Sequence, residues 1–145
     1  MELSYSKTEF TKILDNPLPV IVLYGDEDRS KGEAIRQMTE AWIDPGFYDF
    51  DLEVLDAEVT GIEDILASAL ALPFGSNVRM VVIRGAQLYK RRERSSDLDR
   101  IISAIPSLPH SSALVFRIES DGEPSKTKSA ISAKFEKAAP DWPLD

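Results

Sequence analysis

Cysteine is absent from these 145 residues and histidine occurs once. The first absence excludes a disulfide framework, a thiol nucleophile and a thiolate metal site. The second leaves His110 with no histidine or cysteine partner, so it reads as a turn residue in Pro109-His110-Ser111, and no metal site is expected. No apolar run approaches the roughly 20 residues that cross a bilayer. The amino-terminal MELSYSKTEF lacks the basic start and apolar stretch of a secretion signal. Membrane association is therefore not expected, and a cytoplasmic location is the default. No G-x-S-x-G nucleophile elbow occurs, and Ser95, Ser96, Ser111 and Ser112 stand at helix or strand starts, where capping explains them. Positive charge is scarce as well: 17 Lys and Arg face 25 Asp and Glu, for a net charge of −8. That balance argues against a general nucleic-acid surface.

What is present is the composition of an ordinary globular domain, 43% hydrophobic and 29% charged, long enough for a sizeable core. Charge is unevenly spread. Residues 1–78 carry 16 acidic against 5 basic side chains, and residues 79–145 carry 9 against 12. The basic excess gathers at Lys90, Arg91, Arg92 and Arg94. Such a run is either a solvated loop face or a contact patch for an acidic partner or a phosphate backbone.

Along the chain, helical and strand patterns alternate. Ser6-Lys7-Thr8-Glu9 reads as a capping box ahead of Phe10, Ile13 and Leu14. Val20 to Tyr24 reads as a buried strand, and Asp28 as the cap of a helix with Ala34, Ile35, Met38, Ala41 and Trp42 on its apolar face. Trp42 is expected in the core. Leu52–Asp56 reads as strand two, and Thr60-Gly61-Ile62-Glu63 as the capping box of a helix through Leu70. Val78–Arg84 reads as strand three, Ser96 as the cap of a helix on Leu98, Ile101, Ile102 and Ile105, and Ala113–Ile118 as strand four. A last amphipathic segment holds Ile131, Phe135 and Ala138. The alternation predicts an α/β domain in three layers, a largely parallel sheet flanked by helices.

The stretch from Pro19 to Gly32, PVIVLYGDEDRSKG, places a glycine after strand one where a phosphate-binding loop belongs. A P-loop requires G-x-x-x-x-G-K-[ST], so that backbone N–H groups and a lysine cradle phosphates. Gly25 and Lys31 fall in register, but Ser30 replaces the second glycine and Gly32 stands where a metal-binding hydroxyl is needed. Asp26, Glu27 and Asp28 would also face a polyphosphate, each at a cost of about 1–4 kcal/mol near 4 Å. The pattern is a nucleotide-binding architecture expected to bind no nucleotide, so no cofactor is expected. A receiver domain fits poorly, because strand three ends in Arg84-Gly85 with no acceptor aspartate. Glu119 and Asp121 could hold magnesium only beside a competent phosphate loop, and read as solvated loop acids.

Four pieces in order resemble the N-terminal domain of the delta subunit of the bacterial DNA polymerase III clamp loader. They are VIVLYGDED, EVLDAE, the helix leading to ALALPFG, and VRMVVIRGAQLYK, spread over about residues 18–138. The resemblance implies an AAA+-type (P-loop NTPase-like) fold with a degenerate nucleotide site, in agreement with the damaged loop. It also implies a non-catalytic domain within the DNA polymerase III holoenzyme. Such a subunit opens the ring-shaped sliding clamp, the beta subunit, for loading onto primed DNA, while other subunits hydrolyse ATP. Its partners would be the sliding clamp, the other clamp-loader subunits and, only through the assembled complex, primed DNA. The family's clamp contact is a hydrophobic pair at the end of the helix before strand three, which falls on Leu72-Pro73-Phe74. The sequence departs from the commoner leucine-phenylalanine pair because Pro73 directly precedes Phe74, so Leu72 is expected to supply the second anchor. From spacing alone, Leu72 and Phe74 could equally cover the end of the local core.

Residues 1–145 are thus expected to form a single delta N-terminal-like domain. The ending PDWPLD brings no closing cap, so a piece of a longer protein is expected, and the resemblance implies that lid and collar domains would follow it. A working AAA+ or related ATPase with an unusual loop on Gly25 and Lys31 is the alternative reading, and an unrelated α/β adaptor is a third.

Overall fold

Runs such as Val20-Ile21-Val22-Leu23 and Met80-Val81-Val82-Ile83 have no polar side to turn to water, so they are stable only where both faces are covered. The computed structural model, which describes residues 12–15, 17–23 and 28–119, places them in that setting. Strands β1 (Val20–Leu23), β2 (Leu52–Asp56), β3 (Arg79–Arg84) and β4 (Ser112–Arg117) form one sheet in the order β1-β4-β3-β2. Every pairing is parallel, with Val20 opposite Leu114, Arg79 opposite Ser112 and Leu52 opposite Met80. The helices are α1 (Asp28–Trp42), the single turn α2 (Tyr48–Asp51), α3 (Ile62–Leu70) and α4 (Ser95–Ala104).

Because side chains alternate along a strand, the sheet carries two separate apolar layers. Ile21, Leu23, Met80, Val82, Ala113 and Val115 face Ala34, Met38 and Trp42 of α1. Val20, Val22, Val81, Ile83, Leu114 and Phe116 face Ile65 and Ala69 of α3 and Leu98 and Ile101 of α4. The expected three-layer α/β architecture is therefore present. Trp42 is buried as expected, and its indole Nε1 donates to the Leu14 carbonyl at 2.9 Å. Among the described residues no helix is long and apolar enough to cross a membrane.

Two expected caps do not form. At α3 the cap position falls to Gly61 in extended backbone, with no side-chain bond, rather than to Thr60. Glu63 and Asp64 in the first turn still complement the positive end of the helix dipole. Helix α4 opens at Ser95, one residue before Ser96, with Arg94 at its cap position and no side-chain bond from it. The capping box at residues 6–9, residues 24–27 and everything after Glu119, including Asp121, Ile131, Phe135 and Ala138, lie outside the described residues.

Candidate functional site

The connection from α3 to β3 is where apolar side chains leave the core. Ala71 ends α3 in extended backbone, its N–H donating to the Ser68 carbonyl at 3.3 Å. Pro73 cannot continue a helix, having no N–H to donate. Beyond the helix Leu72 is 71% exposed and Phe74 is 73% exposed, while Pro73 is half-buried. The two therefore do not cover the core. Phe74 is not isolated. Its ring stacks on Phe50 of α2 with centroids 4.9 Å apart, and meets Phe47 at a tilt 5.8 Å away. Phe50 is itself 55% exposed.

This tip is held by one carboxylate. Asp51, the last residue of α2, is fully buried and accepts the backbone N–H groups of Phe74 at 2.5 Å, Gly75 at 3.0 Å and Ser76 at 2.7 Å. Burial pushes its carboxyl up, but the three amides and the Ser76 hydroxyl outweigh burial and hold it at about 2, below the ordinary 3.8. The turn is close-packed as well. A Cβ at residue 75 would run into the Phe47 ring, so only glycine allows the ring to lie against the backbone there.

Beneath the tip, buried Arg79 at the start of β3 gathers the neighbouring chain ends. Its Nη1 donates to the Phe50 carbonyl at 2.5 Å and its Nε to the Ser68 carbonyl at 3.2 Å. Its Nη2 reaches the Ser68 hydroxyl at 2.9 Å and the Glu53 carboxylate at 3.3 Å. A guanidinium suits this position because its fixed fork satisfies several oxygens at once, including a carbonyl at the negative end of α3.

At the opposite, carboxyl end of the sheet, the end at which open α/β sheets take ligands, β1 and β4 lie side by side. Lys31 is 1% exposed, and its ammonium donates to the Ile118 carbonyl at 2.6 Å. The Ile118 N–H in turn donates to the Leu23 carbonyl at 2.9 Å. The Arg117 guanidinium lies over Gly32, 3.8 and 4.0 Å from where a Cβ would stand, and its Nε is 3.3 Å from the Glu119 carboxylate. Gly25, Asp26, Glu27 and the side chain of Asp28 lie outside the described residues, although Asp28 opens α1.

Residues 21–140 match the family described as DNA polymerase III, delta subunit. The chain belongs to that family. A curated relative, DNA polymerase III subunit delta of Bacillus subtilis, is 26% identical over 95 residues, which are 66% of this chain and 27% of the relative. The chain thus spans about a quarter of that relative's length. Its fold is similar to that of the Bacillus subtilis DNA clamp loader delta protein, with a TM-score of 0.68 and 22% identity over 86% of this chain and 39% of that one. It is also similar to a Thermotoga maritima protein described as DNA polymerase III, gamma subunit-related, with a TM-score of 0.62 and 14% identity over 87% and 42% of the two chains. These likenesses bear on the fold.

The remaining candidates in this delta-family chain divide by exposure. Arg91 and Arg92 are exposed, and the side chain of Lys90 lies outside the described residues. Arg94 is engaged within the domain: its Nε donates to Asp97 at 2.9 Å, its Nη2 to the Ala57 carbonyl at 2.8 Å, and its guanidinium lies 5.3 Å above the ring of buried Tyr89. His110 is exposed in its turn. Phe47, Phe50, Asp51 and Arg79 escape sequence reasoning. The run of aromatic and acidic residues Phe47-Tyr48-Asp49-Phe50-Asp51, lying between a helix stop and a strand, is the signal that could have marked the first three.

Proposed function

We propose that this chain is the sliding-clamp-binding domain of a clamp-loader delta subunit, and that Leu72, Pro73 and Phe74 form the element that docks in the clamp. The observation that carries the reading is the tip itself: a leucine and a phenylalanine more than 70% exposed, on a turn fixed by buried polar contacts. Burying them in an apolar pocket would stabilise a complex by about 1.5–3 kcal/mol each, and rigid aromatic anchors tend to dominate interfaces. Membership in the delta family supports the sliding clamp as the partner. The sliding clamp would be gripped at one protomer and its ring opened for loading onto primed DNA, within an assembly of other clamp-loader subunits in the cytoplasm. Residues 1–145 act in this reading as one delta N-terminal-like domain.

The domain takes no part in ATP hydrolysis on this reading. Lys31, the residue in register for a phosphate-binding lysine, supports it by being buried, with its ammonium donating to the Ile118 carbonyl. Arg91 and Arg92, with Lys90, remain candidates for contact with a neighbouring subunit or DNA in the assembled loader. Titration of this chain against its cognate sliding clamp tests the proposal. Saturable binding is expected, reduced at least about tenfold by Phe74→Ala, which corresponds to about 1.4 kcal/mol. Folded protein that does not bind in either form would sink it, and would favour the AAA+-type ATPase alternative built on Gly25 and Lys31.

A further inference from the structure

An exposed aromatic tip is useful to a partner only if it spends most of its time in the shape that the partner accepts. A binding-competent fraction below one raises the apparent dissociation constant in inverse proportion. In this molecule the tip's shape is set from outside its own segment. Residues 74–76 turn their three N–H groups onto a single buried carboxylate supplied by α2, from 23 to 25 residues earlier in the chain. The element that supplies this carboxylate also supplies Phe50, against which Phe74 is stacked. We propose that Asp51 is a positioning residue: its carboxylate holds the Phe74 backbone so that the ring is presented to the clamp, stacked on Phe50. The proposal rests on the clamp-binding reading given above.

The chemistry of the site favours a carboxylate over any neutral isostere. Both oxygens are in use, Oδ1 on Phe74 and Oδ2 on Gly75 and Ser76. An asparagine has the same shape but one carbonyl oxygen, and its NH2 group would face an N–H donor instead of accepting from it. The substitution therefore releases one side of the turn without opening a cavity. Asp51 itself is buried and offers the partner no surface. Its effect on binding must pass through the residues that it holds.

The test is a double-mutant cycle in clamp affinity on this chain, with Asp51→Asn, Phe74→Ala and the pair, alongside amide exchange on the wild type. Asp51→Asn is expected to weaken binding about tenfold, and to weaken it no further once Phe74 is alanine. In wild type the amides of Phe74, Gly75 and Ser76 are expected to exchange slowly despite lying in an exposed turn. If Phe74→Ala weakens binding while folded Asp51→Asn does not, or if the two losses add, the positioning role is overturned and the clamp reading survives. If Phe74→Ala has no effect, the clamp reading falls and takes this inference with it. Should Asp51→Asn not fold, exchange decides: protection of the three amides supports the role, and free exchange overturns it.

Discussion

Asp51 shows how a charge can be buried at no loss when neutral dipoles surround it. The groups that hold its carboxyl at about 2 are backbone amides and a hydroxyl, which lie within hydrogen-bonding distance and leave salt little to screen. Its folded value is below the value of about 3.8 expected in the unfolded chain, so ionisation favours the folded state. That contribution is whole above about pH 4 and is lost as the pH falls through about 2. The expected outcome is a gap in urea midpoint between wild type and Asp51→Asn that is full at neutral pH and closes between pH 4 and pH 2. A gap of constant size would show that the carboxylate contributes nothing through its charge. The acidic and aromatic run around this residue marks its place but not what it holds. Its three donors sit more than 20 residues away, and which amides converge on it is decided only when α2 and the turn before β3 pack together.

At the scale of elements, the α3–β3 connection is pinned at its root by Arg79. One guanidinium serves the carbonyls of Phe50 and Ser68, the Ser68 hydroxyl and the Glu53 carboxylate, and so ties α2, α3, β2 and β3 together. Replacing it by methionine keeps the volume but leaves buried acceptors without donors, at about 1–3 kcal/mol each. Arg79→Met should therefore lower unfolding stability in urea by at least about 2 kcal/mol, and a loss under 0.5 kcal/mol, on the order of an ordinary surface change, would count against the tie. The strands and α3 were legible in the sequence because continuous β-branched runs and helical spacing describe burial that any α/β sheet provides. The caps at Thr60 and Ser96 were not, because a helix start depends on backbone geometry as well as on residue type, and Gly61 and Arg94 occupy the turns instead. Leu72 and Phe74 were readable as a place but not as a surface: spacing permits both core cover and exposure, and only the packing around Phe50 and Asp51 decides between them.

For the whole molecule, the two ends of the sheet have different occupants. The amino end of β3 carries the aromatic tip, and the carboxyl end carries Lys31, Arg117 and Glu119 in contact with one another's chain segments. A nucleotide bound at 100 times its dissociation constant would raise stability by about 2.7 kcal/mol. Millimolar magnesium–ATP is expected to leave the melting temperature of this chain unchanged, and a saturable upward shift would show that the chain still binds nucleotide. The altered loop spelled out this expectation residue by residue. What the sequence could not display is that the protein's own carbonyl, at Ile118, receives the lysine.

The placement of the tip also has a mechanical side. It joins the sheet at the amino end of β3, a strand paired in parallel with β4 from Arg79 to Arg84 and with β2 from Met80 to Arg84. A pull on Phe74 directed along that strand is shared by the ladder bonds to β2 and β4 together, rather than opening them one at a time as a pull across the strand would. The sheet therefore resists a pull along β3 better than a pull across it.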